Sequence, residues 1–172
     1  MLCGSTNNIK VLEDTFIIKR VMPYYRNIRQ EIIKANKIYF IDTGLRNVTL
    51  EQFSTWSERT DQGSLFENGV YIGLLQLLRN QPEAIHFWRT KQKSEVDFVV
   101  LHGDRPLPIE VKTSIKKGRL TSGLAAFVAK FQVRRAMLIT LTQPLPRSQH
   151  IRGVALNFVS PAQLMRAVSE SM

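Results

Sequence analysis

The chain has 172 residues, with 24 Lys and Arg against 14 Asp and Glu, a formal charge of +10 and 44% apolar residues. That length suits one domain burying roughly 70% of its unfolded surface. The composition excludes long disorder, collagen-like repeats and a disulfide scaffold, since Cys3 has no second cysteine to pair with. No run approaches the roughly 18–20 apolar residues of a membrane span, and the polar stretch Met1 to Lys10 lacks the apolar core of a secretory signal. The expectation is a cytoplasmic protein with no membrane partner.

The charge is unevenly placed. Val111 to Ser169 holds no Asp or Glu, yet carries ten cations: Lys112, Lys116, Lys117, Arg119, Lys130, Arg134, Arg135, Arg147, Arg152 and Arg166. The remaining 113 residues balance to zero. A stretch of one sign attracts phosphate backbones by releasing their condensed counterions, although a basic face also serves solubility.

In chain order, Thr15 to Val21 and Lys37 to Ile41 are rich enough in β-branched and aromatic residues for strands. Between them, Pro23 to Asn36 is polar and long enough for a short helix, and Asp42-Thr43-Gly44 ends the run with turn chemistry. Ser64 to Arg79 reads as a largely buried helix stopped before Pro82. Three strands follow, at Ile85 to Thr90, Glu95 to Leu101 and Leu107 to Thr113, the last two joined across Gly103-Asp104-Arg105-Pro106. A helix at Leu120 to Phe131 and a strand at Ala136 to Leu141 precede a Pro144-Leu145-Pro146 loop, a strand at Val154 to Val159 and a helix opened by Ser160-Pro161. The order αβββαβ, then β and α, predicts an α/β fold with a mixed sheet flanked by helices. Residues 1–50 form an extension packed on a core at 51–172.

Within that order, alternation puts Glu110 and Lys112 on one face of a strand and Ile109, Val111 and Thr113 on the other. The hairpin brings Asp97 alongside. Two close carboxylates need a compensating cation, and hard oxygen ligands suit Mg²⁺ or Mn²⁺. Such an ion activates water for phosphodiester hydrolysis, with a lysine to stabilise developing charge. A plain Asp97–Lys112 ion pair satisfies the same spacing. Ser64-Leu65-Phe66-Glu67 also fits a capping box, which would make Glu67 a helix-start residue. Arg89 stands equally placed for a phosphate or for Glu95, while Lys116, Lys117 and Arg119 follow the Glu110-Val111-Lys112 strand as a basic loop. His86, His102 and His150 lack zinc-ligand spacing, and Phe87 and Trp88 read as core.

The acid on the first helix, Asp97, and Glu110-Val111-Lys112 thirteen residues later resemble the PD-(D/E)XK nuclease superfamily. More closely, Lys37-Ile38-Tyr39-Phe40-Ile41-Asp42-Thr43-Gly44-Leu45, Leu65-Phe66-Glu67-Asn68, Phe87-Trp88-Arg89-Thr90 and Glu95-Val96-Asp97-Phe98 resemble a prokaryotic domain of unknown function that follows an AAA-type ATPase module. The resemblance implies a restriction-endonuclease-like fold, Asp97 and Glu110 as ligands of Mg²⁺ or Mn²⁺, Lys112 as catalytic lysine and Glu67 as auxiliary acid. It further implies an ATPase module as a partner and a homodimer, while DNA as partner follows from the acid-free basic stretch, with Arg89, Lys116, Lys117, Arg119, Arg134 and Arg135 expected to hold it. Val96 stands where the superfamily usually has Pro, and no G-x-x-x-x-G-K-[ST] is present, so the chain has no P-loop ATP site. A non-catalytic docking module for the ATPase is the alternative reading.

Overall fold

The β-branched runs of the sequence assemble into one eight-stranded sheet in the computed structural model, which describes residues 3–25, 36–115, 120–142 and 147–171, with side chains from Asn8 onward. Helix α1 (Cys3–Asp14) leads into β1 (Ile18–Pro23) and β2 (Lys37–Phe40), then α2 (Thr43–Thr49) and α3 (Gln62–Leu77). Strands β3 (Ile85–Arg89), β4 (Glu95–His102) and β5 (Arg105–Lys112) follow, then α4 (Ser122–Phe131), β6 (Arg135–Thr140), β7 (Ser148–Ile151), β8 (Val154–Val159) and α5 (Leu164–Ser171). The strand order is β2-β1-β3-β4-β5-β6-β8-β7. Neighbours β1/β3, β5/β6 and β6/β8 are parallel and the rest antiparallel, so the sheet is mixed, as the hairpin and crossover require.

Alternating side chains divide the core in two. Ile109, Val111, Met137 and Ile139 face Phe66, Val70 and Leu74 of α3 and Leu164 and Val168 of α5. Ala136, Leu138 and Trp88 face Leu124 and Phe127 of α4 on the other side. Strand β5 is interior, flanked by β4 and β6. Phe87 and Trp88 are each 1% exposed, so both are core, as their strand position predicts.

Several elements differ from the sequence expectation. Helix α1 is an element that the chain-order reading did not include, and Asp42 starts a helix rather than ending a strand: its side chain accepts from the Leu45 N–H at 2.7 Å as the cap of α2. Strand β7 is a short polar edge with no apolar alternation to reveal it. The helix expected in Pro23 to Asn36 and the Pro144-Leu145-Pro146 loop lie largely outside the described residues. Helix α3 begins at Gln62, two residues before Ser64, so the capping-box reading of Glu67 is corrected.

Asp61, which precedes α3, gives its carboxylate to two buried guanidiniums, Arg46 at 2.8 Å and Arg59 at 2.8 Å, and thereby ties α2 to α3. Those two arginines hold its pKa below the usual 3.8, at about 2. The contribution is therefore complete above pH 3.8 and lost as pH falls through about 2. Asp61→Ala strands both cations, and a loss of about 2–3 kcal/mol is expected in denaturant unfolding, below the full cost of a buried orphan charge because Asp61 is partly exposed.

Candidate functional site

The site arises where β4 and β5 part. Their ladder runs from His102↔Arg105 to Phe98↔Ile109. Against β3 the register shifts there: β3 moves from His86 to Trp88 while β4 moves from Val99 to Val96, one residue more. The extra residue falls in Asp97-Phe98, and a bulge of this kind turns a side chain out of its regular alternation. Asp97 accordingly leans across to β5, where its Oδ2 accepts the Val111 N–H at 2.8 Å in place of a ladder carbonyl. Glu110 and Lys112 share the next face, with Lys112 Nζ 2.8 Å from Glu110 Oε1 and 3.9 Å from Asp97 Oδ2.

Glu67 comes from α3, and β2 brings a residue to meet it that the sequence reading missed. Lys37 Nζ lies 2.9 Å from Glu67 Oε1, 2.5 Å from Glu95 Oε1 and 3.8 Å from Asp97 Oδ1. Tyr39, two residues on and hence on the same strand face, donates to Glu67 Oε1 at 2.5 Å. Asn68 fixes β2 to α3 by accepting the Phe40 N–H at 3.0 Å and donating to the Phe40 carbonyl at 2.9 Å. Strand alternation in Lys-Ile-Tyr-Phe was the available signal, since it pairs a cation with a phenol on one face.

Four carboxylates, Glu67, Glu95, Asp97 and Glu110, thus share two ammoniums and one guanidinium. Arg89 resolves its two readings in favour of Glu95, with Nε 2.7 Å from Oε2. Lys37, Glu67, Arg89 and Glu95 line an open cavity of about 470 Å³, while Asp97 and Glu110 sit deeper, at 8% and 4% exposure. Burial, then the Glu67 and Glu110 charges, push Asp97 up to about 7 against the pull of Lys112 and the Val111 N–H. Burial likewise raises Glu110. Lys112 is held above its usual range, because Asp97 and Glu110 outweigh the desolvation of its ammonium.

A raised carboxyl pKa means that charging Asp97 costs folding free energy between pH 3.8 and about 7. Asp97→Asn keeps an acceptor for Val111 and deletes that cost. We expect it to raise Tm at pH 7–8 in the absence of divalent ions, with the gain shrinking as pH approaches 4. An unchanged or lowered Tm at pH 8 would contradict the burial of charge.

Among the described residues no group of three or more His, Cys, Asp and Glu side chains is arranged to hold a metal ion. Mg²⁺ needs less, because it keeps several waters and takes one or two carboxylates. Asp97 and Glu110 fit that requirement: both are buried hard-oxygen donors, and Glu110 Oε2 has no hydrogen-bond partner among the described residues.

The cationic residues expected around the site divide. Arg89 is at its rim. Lys116, Lys117 and Arg119 lie outside the described residues. Arg134 and Arg135 sit at the start of β6, whereas Lys112 pairs with Thr140 at its end. Five residue steps at about 3.3 Å each separate Arg135 from that end by some 16 Å, so these two arginines stand apart from the carboxylate cluster.

The chain belongs to a family described as Domain of unknown function (DUF4143), whose model matches residues 62–158. The family is one often found after AAA-type ATPase modules. A second family model, Domain of unknown function (DUF8612), matches residues 6–55. Uncharacterized proteins of Mycobacterium bovis and Mycobacterium tuberculosis are each 29% identical over 148 residues, covering 85% of this chain and 33% of the relative. The chain thus spans about a third of the length of these curated relatives. No solved structure matches it significantly. The two family segments meet in the site: Lys37 and Tyr39 come from the first, and Glu67, Glu95, Asp97, Glu110 and Lys112 from the second. No helix among the described residues is long and apolar enough to cross a membrane.

Proposed function

We propose that this chain is a restriction-endonuclease-like domain that binds DNA and hydrolyses phosphodiesters with Mg²⁺ or Mn²⁺. The observation that carries the reading is the meeting of buried Asp97 and Glu110 with Lys112 where β4 and β5 part, one carboxylate oxygen there having no protein partner among the described residues. Asp97 and Glu110 would hold the ion, which when bound polarises the phosphoryl oxygen and lowers the pKa of water. Lys112, 45% exposed and already ionised, stabilises negative charge developing on the phosphate. Glu67, oriented by Lys37 and Tyr39, serves as the auxiliary acid at the cavity wall.

Incubation with plasmid, linear and branched DNA in Mg²⁺, Mn²⁺ or EDTA tests this. Metal-dependent cleavage is expected, reduced at least about a hundredfold by Asp97→Ala and by Lys112→Ala. Cleavage that persists in both variants, or in EDTA, would remove the assignment.

A second reading, a docking module for an AAA-type ATPase, draws on a different observation. Leu45, Val48, Leu50, Phe53 and Trp56 are all exposed within twelve residues, Phe53 at 72%. Large apolar residues gathered on a surface mark contact with another protein. On this reading Lys37 and Lys112 neutralise the carboxylates permanently, and DNA is bound without being cut.

A further inference from the structure

Strands β5, β6 and β8 run in the same direction, so their N-terminal ends gather at one end of the sheet and the carboxylate cluster lies at the other. The N-terminal end is built from arginines. Arg105 opens β5, Arg135 opens β6 with Arg134 just before it, and the Ala155 N–H donates to the Arg134 carbonyl at 2.9 Å, drawing the Arg152-Gly153 turn alongside. Two open cavities of about 500 and 660 Å³ adjoin there, sharing Arg135 and Ser171 in their walls. Arg147 and Arg166 line the first, Arg105 and Arg134 the second.

The ion pairing differs sharply between the two ends. In the carboxylate cluster every cation has an acid. At the arginine end the nearby acids are Asp104 and Glu170, and Glu170 is taken by Arg166 at 2.7 Å. Among the described residues Arg105, Arg134, Arg135, Arg147 and Arg152 are exposed and form no ion pair. Like charges gathered this way repel one another, and an external polyanion relieves the repulsion.

The chemistry selects the polyanion. The unpaired groups are guanidiniums, whose planar fork matches phosphate oxygens two at a time. Arg105, Arg135 and Arg152 are carried by β5, β6 and the β7–β8 turn, two strand intervals or about 10 Å across. Duplex DNA presents a charge for each roughly 1.7 Å of axis, so that span meets several phosphates. Neither cavity offers a fully exposed aromatic ring on which a base would stack, so the backbone rather than the bases is recognised.

The geometry points to a second nucleic-acid surface: the arginine end of the sheet binds the phosphate backbone of duplex DNA at a place separate from the carboxylate cluster. This deepens the nucleic-acid part of the proposed function and is independent of cleavage.

The test is fluorescence anisotropy with a labelled DNA duplex in EDTA across a salt series. The wild type is compared with Arg134→Ser/Arg135→Ser, Arg105→Ser/Arg152→Ser and Lys10→Ser, each first checked for cooperative melting. Each arginine pair is expected to lower affinity at low salt about tenfold or more, and to flatten the slope of log affinity against log salt by about one for every phosphate no longer neutralised. Lys10→Ser, an exposed change on α1 away from both ends of the sheet, retains affinity and slope. Wild-type affinity and slope in both arginine variants would overturn the proposal, as would equal displacement of the duplex by polyglutamate, which would assign the surface to an acidic protein. Loss of cleavage with arginine-dependent binding intact refutes only the hydrolytic reading. Cleavage intact with arginine-independent binding refutes only this one.

Discussion

Gly123→Ala is expected to unfold the protein or lower its stability by more than about 3 kcal/mol, beyond the usual cost of overpacking. The reason is the approach of α4 to β4. A Cβ built on Gly123 stands 1.6 Å from the Glu95 carbonyl oxygen and 2.7 Å from its carbon, both of them backbone atoms. No rotamer change relieves such a clash, so either the helix withdraws from the sheet or β4 moves. Withdrawal opens the core around Leu124 and Phe127, which are fully buried. Movement of β4 displaces Glu95 and Asp97 together. At about 2–4 °C per kcal/mol for a chain of this size, Tm falls by some 6–12 °C or more. Gly69→Ala supplies the contrast: Gly69 is an exposed residue within α3 with nothing within 4 Å of its added Cβ, so a gain of about 0.5–1 kcal/mol is expected there. Equal melting temperatures for the two variants would contradict the close approach of helix and strand.

Much of the fold was legible because its core strands are written mostly in apolar or β-branched residues. Val96 to Leu101, Leu107 to Val111 and Ala136 to Ile139 announce a buried sheet, and the hairpin turn at Gly103 takes the positive φ of 56° that its glycine permits. Helices α1 and α2 gave no such signal. The stretch Cys-Gly-Ser-Thr-Asn-Asn of α1 has no apolar stripe, and Asp-Thr-Gly before α2 has the composition of a turn even where Asp42 caps a helix. At the site, Glu67, Asp97, Glu110 and Lys112 were readable because acids and a lysine are out of place in apolar elements. Lys37 was not, because its partner Glu67 lies 30 residues away and the pairing depends on β2 reaching the site through the edge of the sheet. The bulge that turns Asp97 toward β5 is likewise a property of three strands in register, which no local pattern encodes.

Lys37→Met should cost about 2 kcal/mol near neutral pH, and the cost should disappear in acid. Methionine keeps most of the aliphatic stem and removes the ammonium from three carboxylates and from over the Phe87 ring, whose centroid lies 5.7 Å from it. Breaking a fully buried pair costs about 3–5 kcal/mol, and the partial exposure of Glu67 and Glu95 reduces that figure. The sign with pH follows from the shifts on each side of the pair. Despite its burial, Glu95 is held below its usual 4.5 by Lys37 and Arg89, so its stabilisation is present above pH 4.5 and lost as pH falls through the lowered value. Lys37 is raised above 10.5, its desolvation being outweighed by Glu67, Glu95 and Asp97, so its share is complete below pH 10.5 and lost only above. The difference in Tm between wild type and variant should therefore be widest from about pH 6 to 9 and close only as pH falls below 4.5. A difference that stays constant across that range would mean that packing of the stem, not the ammonium, holds β2 against the site. The same variant bears on the proposed metal site, because a divalent cation there would draw on the Asp97 carboxylate that the Lys37 ammonium already faces. Mn²⁺ should then raise the Tm of Lys37→Met by more than it raises that of the wild type, and an equal rise in both would show that Lys37 does not compete for that carboxylate.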